Sequence, residues 1–456
     1  MTTATETLDG TMSNAEATVT EGGAWINGLQ ERGREVWARL GFPSMKDEAW
    51  RDTNVSVLEK TPFVPAGVAP AKAAAELHAR YTFGNAAGAE IVLVNGRFDA
   101  ALSALSKLPA GVKVMTLARA LAEENGLVER HLGAYAKIER HAFAARNTSH
   151  LARNLEAGVL VHVGKRKTCA KPLHILFLTV PSGEAEVTEP RVLVVAEENS
   201  ESTIVETFAG NDGALYHTNA VTEIVGARSS RIDHCKLQQE GRGAYHTALM
   251  NVELAEQASF ISHSLSVGSA VTRNDLEVLF NGERAEATLN GLVLANGEQH
   301  IDNHTLLHHE KGQCPSHELY KHVLNDKAVA VFMGKIFVQK DAQKTDSKQT
   351  SKALLLTDTA FMNSQPALEI YADDVKCTHG STVGPVDANA VFYLVSRGLS
   401  LEQATHLMTY AFAADITRRI RVAPVRARME DFMTAQHGLP QDLRITEEAA
   451  HDVALL

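Results

Sequence analysis

Residues 248–290 read ALMNVELAEQASFISHSLSVGSAVTRNDLEVLFNGERAEATLN. Ala248, Met250, Val252 and Leu254 alternate with Leu249, Asn251 and Glu253. Ala285, Ala287 and Leu289 alternate in the same way with Glu286, Thr288 and Asn290. A period of two marks strands with one buried face. The pattern also recurs along the chain. A polar turn followed by a small residue entering a strand appears at Ser202, Ser230, Ala258 and Ala285, with successive differences of 28, 28 and 27. An apolar run precedes each, at residues 192–196, 221–225, 252–254 and 278–280. A fixed period in the twenties with strand content predicts a solenoid whose coils stack on one another. The leucine-rich-repeat pattern is absent, so the expected core is a right-handed parallel β-helix-like stack. A β-sandwich with evenly spaced strands is the competing arrangement.

Working outward, the period breaks between Leu292 and Tyr320, where a His-rich segment reads as an insertion. Strands resume at residues 328–333 and run to about Val375. On the N-terminal side, helical spacing predicts a helix over Ala24–Leu40, stopped by Gly41 and Pro43. A shorter helix is expected at Ala71–Tyr81, a strand with a turn at residues 91–97, and Ala-rich helix at 114–145. Beyond Gly384-Pro385 the texture is helical again, at 389–397 and 401–420. Gly398 separates these two, and Ser400 with Gln403 forms a capping box. The chain thus divides into a disordered tail at 1–20, a mostly helical domain at 21–150, a β-helix core at 151–384 and a helical domain at 385–456. The fold class is mainly β, with α-helical domains flanking the core.

Composition narrows the function. The chain has 456 residues, 45% of them hydrophobic, and a net charge of −11, which argues against a general nucleic-acid binder. No apolar run approaches the ~18 residues that span a bilayer. The first twenty residues lack an apolar export segment. The four cysteines, Cys169, Cys235, Cys314 and Cys377, lie far apart, as reduced thiols of a cytoplasmic protein would.

Cys377 and His379 form a Cys-x-His pair within Lys376-Cys377-Thr378-His379-Gly380. On a strand, residues two apart share a face, so a thiolate and an imidazole could meet one iron or zinc ion. Two ligands leave such a site incomplete, so the pair is structural, catalytic, or half of a site that another chain completes. A packed cysteine beside a polar histidine gives the same spacing. His300, His304, His308, His309, His317 and His322 form a second cluster with Cys314. His300, His304 and His308 share a face, which would suit a metal. A polar strand face or loop with locally bonded histidines is the favoured account of them. Cys169 and Cys235 lie in strand-like runs and read as buried thiols. Asp373-Asp374 reads as a solvated turn, or as support for His379. Arg418, Arg419, Arg421, Arg426 and Arg428 read as a solvated helix face, or as a dock for an acidic partner. No G-x-x-x-x-G-K-S/T loop, G-x-S-x-G elbow or dinucleotide fingerprint is present, which weakens the case for a self-contained enzyme.

The segment Ala342-Gln343-Lys344-Thr345-Asp346-Ser347-Lys348-Gln349, followed by Leu354-Leu355-Leu356, resembles the SufB/SufD family of iron–sulfur cluster scaffolds. So do residues 366–384 (PALEIYADDVKCTHGSTVG), Phe392-Tyr393-Leu394 with Ser396-Arg397-Gly398, and His300-Ile301-Asp302-Asn303-His304. Gly41-Phe42-Pro43 and Glu48-Ala49-Trp50-Arg51-Asp52-Thr53 are similar to the family's opening. The resemblance spans about residues 25–425 and favours the SufD-type branch. It implies a non-catalytic scaffold that works with a SufB-type sister chain and a SufC-type ATPase docked on the C-terminal helices. A homodimer is the other assembly it allows. A transient iron–sulfur cluster would form where the two scaffold chains meet, with His379 and Cys377 as this chain's metal and cluster residues and a role in iron acquisition. ATP would bind only the partner. Two alternatives are a SufB-type paralogue and a metal-dependent β-helix enzyme acting on carbohydrate through the 300–322 histidines.

Overall fold

The computed structural model describes residues 24–437, so the tail expected at 1–20 and residues 438–456 of the C-terminal domain lie outside the described residues. From Arg191 onward, successive strands fall alternately into two sheets, of eleven and ten strands. Each pairs in parallel with the strand two places further on. Tyr245–Leu254, for example, lies between Tyr216–Gly226 and Val271–Phe280. Ser259–Ser266 lies between Arg231–Gln239 and Glu286–Ala295 in the other sheet. Such in-register parallel ladders settle the solenoid over the sandwich, with about eight coils.

The corners explain the period. Asn199, Ser229, Gln257, Arg284, Gln313 and Lys344 all adopt left-handed backbone, with φ of 57°, 56°, 59°, 59°, 61° and 62°. The N–H of each donates to the next corner, as from Gln257 to Glu283 O at 3.0 Å and from Gln313 to Gln343 O at 2.8 Å. The residue after each is small and fully buried: Ser200, Ser230, Ala258, Ala285, Cys314 and Thr345. Three of the four expected positions hold, but the first member of the column is Ser200 and not Ser202. The expected break at the His-rich segment does not occur. His300–His309 is an ordinary strand, in register between Val271–Phe280 and Val329–Val338. Cys314 is the corner residue of that coil, so the period continues through it.

The helix Ala24–Leu40 ends where expected, with Gly41 at φ 62° and its N–H on Trp37 O at 2.8 Å. Ala71–Tyr81 is also a helix. Asn95 and Gly96, at φ 50° and 70°, turn Ala89–Val94 back into Arg97–Phe98. The helix expected over 114–145 is divided. Val112–Thr116 is a strand antiparallel to Gly158–Val163, and helices follow at Leu117–His131 and Ala142–Ser149. Edge pairing to the solenoid prevails here over Ala-rich helix propensity. In the C-terminal region Ala388–Ser396 and Leu401–Thr417 are helices, and the capping box is formed by bonds of 3.1 and 2.9 Å between Ser400 and Gln403.

Helices cover part of the outer face of each sheet. Val221 and Leu249 pack against Val36, Ile138 and Ala145 of the N-terminal helices. Leu237, Leu265, Leu292 and Val323 pack under Tyr410, Ile416, Val425 and Met429 of the C-terminal helices, with Cys235 among them. The inner faces enclose a core that includes Phe208, Phe260, Phe280 and Phe332.

Candidate functional site

Among the described residues, the C-terminal end of the solenoid is uncapped. Phe361–Ile370 and Lys376–Gly384 are the terminal strands of their sheets, each hydrogen-bonded to a neighbour on one side only. An edge strand presents unpaired N–H and C=O groups, and natural proteins rarely leave one bare. Here the edge also exposes apolar side chains, with Phe361 59%, Tyr371 56% and Val383 44% accessible.

Cys377 and His379 lie on the last strand. The ladder pairs Ser347 with Cys377, Gln349 with His379 and Ser351 with Ser381. Ser347, Gln349 and Ser351 are buried on the inner face, so Cys377 and His379 lie on that face too. Cys377 packs against the inner core and is half-buried, whereas His379, with no further coil above it among the described residues, is exposed. Burial raises the Cys377 thiol above its ordinary pKa. Across the mouth, Ser381 Oγ donates to Ser364 Oγ at 2.9 Å and ties the two edge strands together.

The floor of the mouth is polar, which sequence reasoning did not single out. Gln349 Nε2 donates to Glu318 Oε2 at 2.5 Å, and a Cβ on Gly334 would run into the same amide. Burial pushes the Glu318 carboxyl up to about 7, against the opposing hydrogen bond from Gln349. Beside it, Ser347 Oγ lies 2.6 Å from Ser316 Oγ, which lies 3.1 Å from His309 Nε2. A detectable signal was present in the sequence: the inward set Ser347, Gln349 and Ser351 places polar residues where a strand of period two should bury apolar ones.

The second cluster does not assemble. His300, His304 and His308 do share the outer face of their strand, but each has a different local partner. His300 Nε2 lies 2.9 Å from Thr53 Oγ1. Arg273 Nη2 lies 2.9 Å from His304 Nδ1, whose Nε2 lies 3.0 Å from Asp302 Oδ1. A guanidinium only donates, so the His304 ring proton sits on Nε2 and faces the carboxylate. His308 stands edge-on to Phe337, while His309 and His322 point inward. Among the described residues no group of three or more His, Cys, Asp or Glu could hold a metal. The cluster instead fastens the N-terminal segment 48–53 across the sheet. Arg273 donates to Ala49 O at 2.7 Å, lies over Trp50 at 4.5 Å, and pairs with Asp275 and Asp302 at 2.8 Å each. Thr53 Oγ1 donates to Asp302 at 2.6 Å. Arg51 and Asp52 both bond Gln365 of the terminal strand.

Cys169, Cys235 and Cys314 are buried. Burial pushes the thiols of Cys169 and Cys314 up to about 11, so they are inert at neutral pH. Cys169 follows an isolated bridge and is not within a strand as expected. Asp373 and Asp374 lie in the turn before the last strand, where Asp374 N–H donates to Gln343 Oε1 at 2.9 Å. Arg428 stacks on Tyr81 at 5.0 Å, so the arginine run is partly engaged with the N-terminal helices. No helix of the described residues is long and apolar enough to cross a membrane.

These features define a helix-flanked, two-sheet β-solenoid whose open last coil presents a thiol, an imidazole and bare sheet edges. Its sequence matches the family model for the SUF system FeS cluster assembly SufBD core domain over residues 178–412. It matches the model for the SufBD protein N-terminal region over residues 12–175. The chain belongs to the SufBD family of iron–sulfur cluster assembly proteins. The iron–sulfur cluster assembly protein SufD of Escherichia coli is 33% identical over 84% of this chain and 86% of its own length. A SufBD family protein of Synechocystis is 29% identical over 88% of this chain and 89% of its own. Protein ABCI7, chloroplastic, of Arabidopsis thaliana is 26% identical over 87% and 83%.

Proposed function

We propose that this chain is a SufD-type, non-catalytic scaffold whose Cys377 and His379 supply half of a cluster-forming site. The observation that carries this reading is the position of the pair. It lies on the inner face of an uncapped coil, at a sheet edge that exposes both backbone and apolar side chains. A sister SufB-type solenoid would pair with these edges and bring its own sulfur ligand to the mouth, which suits a site with two ligands of its own. His379, exposed and unburdened by packing, would take iron, and Cys377 would hold sulfur or a cluster edge. The C-terminal helices expose Phe392 (74%) and Leu401 (68%), an apolar surface suited to the SufC-type ATPase that would drive movement at the junction.

The test is His379→Ala and Cys377→Ser in the complex purified with both partners. The expected result is loss of cluster absorbance on anaerobic reconstitution, with the complex still eluting intact. Wild-type cluster yield from His379→Ala would refute the assignment.

A further inference from the structure

We propose that Gln349 is a third metal donor at the mouth of the solenoid. Its amide oxygen would complete a sulfur–nitrogen–oxygen set with Cys377 and His379 for one divalent cation of iron's class. The inference rests on the reading of Cys377 and His379 given above and adds a residue to it.

The argument begins with register. Gln349 is the direct ladder partner of His379, and Ser347 that of Cys377. Paired residues on neighbouring strands are ~5 Å apart and share a face, so the Gln349 side chain emerges beside the imidazole. The second observation is polar satisfaction. Gln349 is 1% accessible, yet its Oε1 has no hydrogen-bond partner. A buried amide oxygen without a partner is costly, and natural proteins seldom leave one without a reason. The amide is also held in orientation. Its Nε2 is bonded to Glu318 Oε2 at 2.5 Å, and only a residue without Cβ at 334 leaves room for it. With the nitrogen committed to Glu318, the oxygen is the atom left for a ligand. Thiolate, imidazole and amide carbonyl together suit ferrous iron or cobalt, and a carbonyl alone would not retain either. Glu318 does not touch the metal in this arrangement. It is a positioning residue that holds the amide nitrogen and leaves the oxygen unbonded, as the partners of metal ligands commonly do.

Cobalt(II) reads such a site directly, through a sulfur-to-cobalt charge-transfer band and a visible envelope that depends on the donor set. Cobalt chloride is titrated anaerobically into the purified full-length chain. Wild type is expected to show a band that Cys377→Ser abolishes. Gln349→Leu, close in shape but without a donor, should keep the band, change the visible envelope and weaken binding about tenfold or more. Gln349→Glu should restore affinity through a carboxylate oxygen. Melting curves of both variants monitor the fold. Identical affinity and spectrum for Gln349→Leu and wild type would overturn the proposal, as would the absence of any Cys377-dependent band at millimolar cobalt. The earlier reading fails separately, if His379→Ala still assembles clusters in the complex.

Discussion

The carboxyl of Glu318 should make the protein more stable as the solution is acidified, which is opposite to the usual behaviour of a paired carboxylate. Burial raises its pKa from 4.5 to about 7 in the folded chain. The folded state therefore disfavours the ionised form. Below pH 4.5 the group is neutral in both states and costs nothing. Between pH 4.5 and 7 the unfolded chain ionises while the folded chain does not, and stability falls. Above pH 7 the loss is complete. The shift of 7 − 4.5 pKa units corresponds to a loss of about 3 kcal/mol. Glu318→Gln removes the titration and keeps a partner for the Gln349 amide. The variant should match wild type near pH 4.5 and exceed it by up to about 3 kcal/mol at pH 8. A chain of this length has an unfolding entropy near 1 kcal/mol per degree, so the gain is roughly 3 °C in Tm. Melting curves of the two proteins from pH 4.5 to 8 test this. A Tm difference that does not change with pH, or a variant less stable at pH 8, would refute the reasoning.

Two further outcomes follow from features outside the mouth. Asp302→Ala should cost about 1–3 kcal/mol, because Arg273 loses one of its two carboxylates, keeping Asp275, His304 and Ala49 O, and Thr53 loses its acceptor. The freed segment should then be cut by trypsin at Lys46 or Arg51, and an unchanged digest would show that it is held elsewhere. At the corner, Gln313 has φ 61° and an exposed side chain, so Gln313→Gly should raise stability by up to about 1 kcal/mol, whereas Gln313→Val should lower it by more. Chemical denaturation of the pair separates backbone strain from lost contacts, and equal effects of Gly and Val would contradict it.

Much of this fold was legible in the sequence where local chemistry decides local structure. Gly41 and Pro43 end a helix because one accepts left-handed backbone and the other cannot continue a helix. The period was visible at Ser230, Ala258 and Ala285 because each corner needs a small residue after its left-handed one. It was lost at Cys314 because a cysteine there looks like a ligand, and the histidines beside it look like an insertion. The strand at Val112–Thr116 was missed because its partner, Gly158–Val163, is remote in sequence. At the site, spacing alone placed Cys377 and His379 on one face. It could not show that theirs is the last coil, since that depends on what the following chain does. The part played by Gln349 was equally hidden. Its significance lies in the ladder to His379, the bond to Glu318 and the gap at Gly334, none of which is local in sequence.

The fastening of residues 48–53 also sets an order of events in time. Arg51 meets Gln365, 314 residues further along the chain. At ~5–20 residues per second of synthesis, Arg51 waits roughly 15–60 s before its partner exists. Throughout that interval the solenoid can grow coil by coil, each new strand templated on the one before it. The N-terminal segment can engage Arg273 and Asp302 first, and its contacts are complete only when Gln365 arrives. A chain that stopped short of residue 365 would leave Arg51 and Asp52 without that partner. Full closure of the segment thus reports, within the newborn protein itself, that the penultimate strand of the stack has been made.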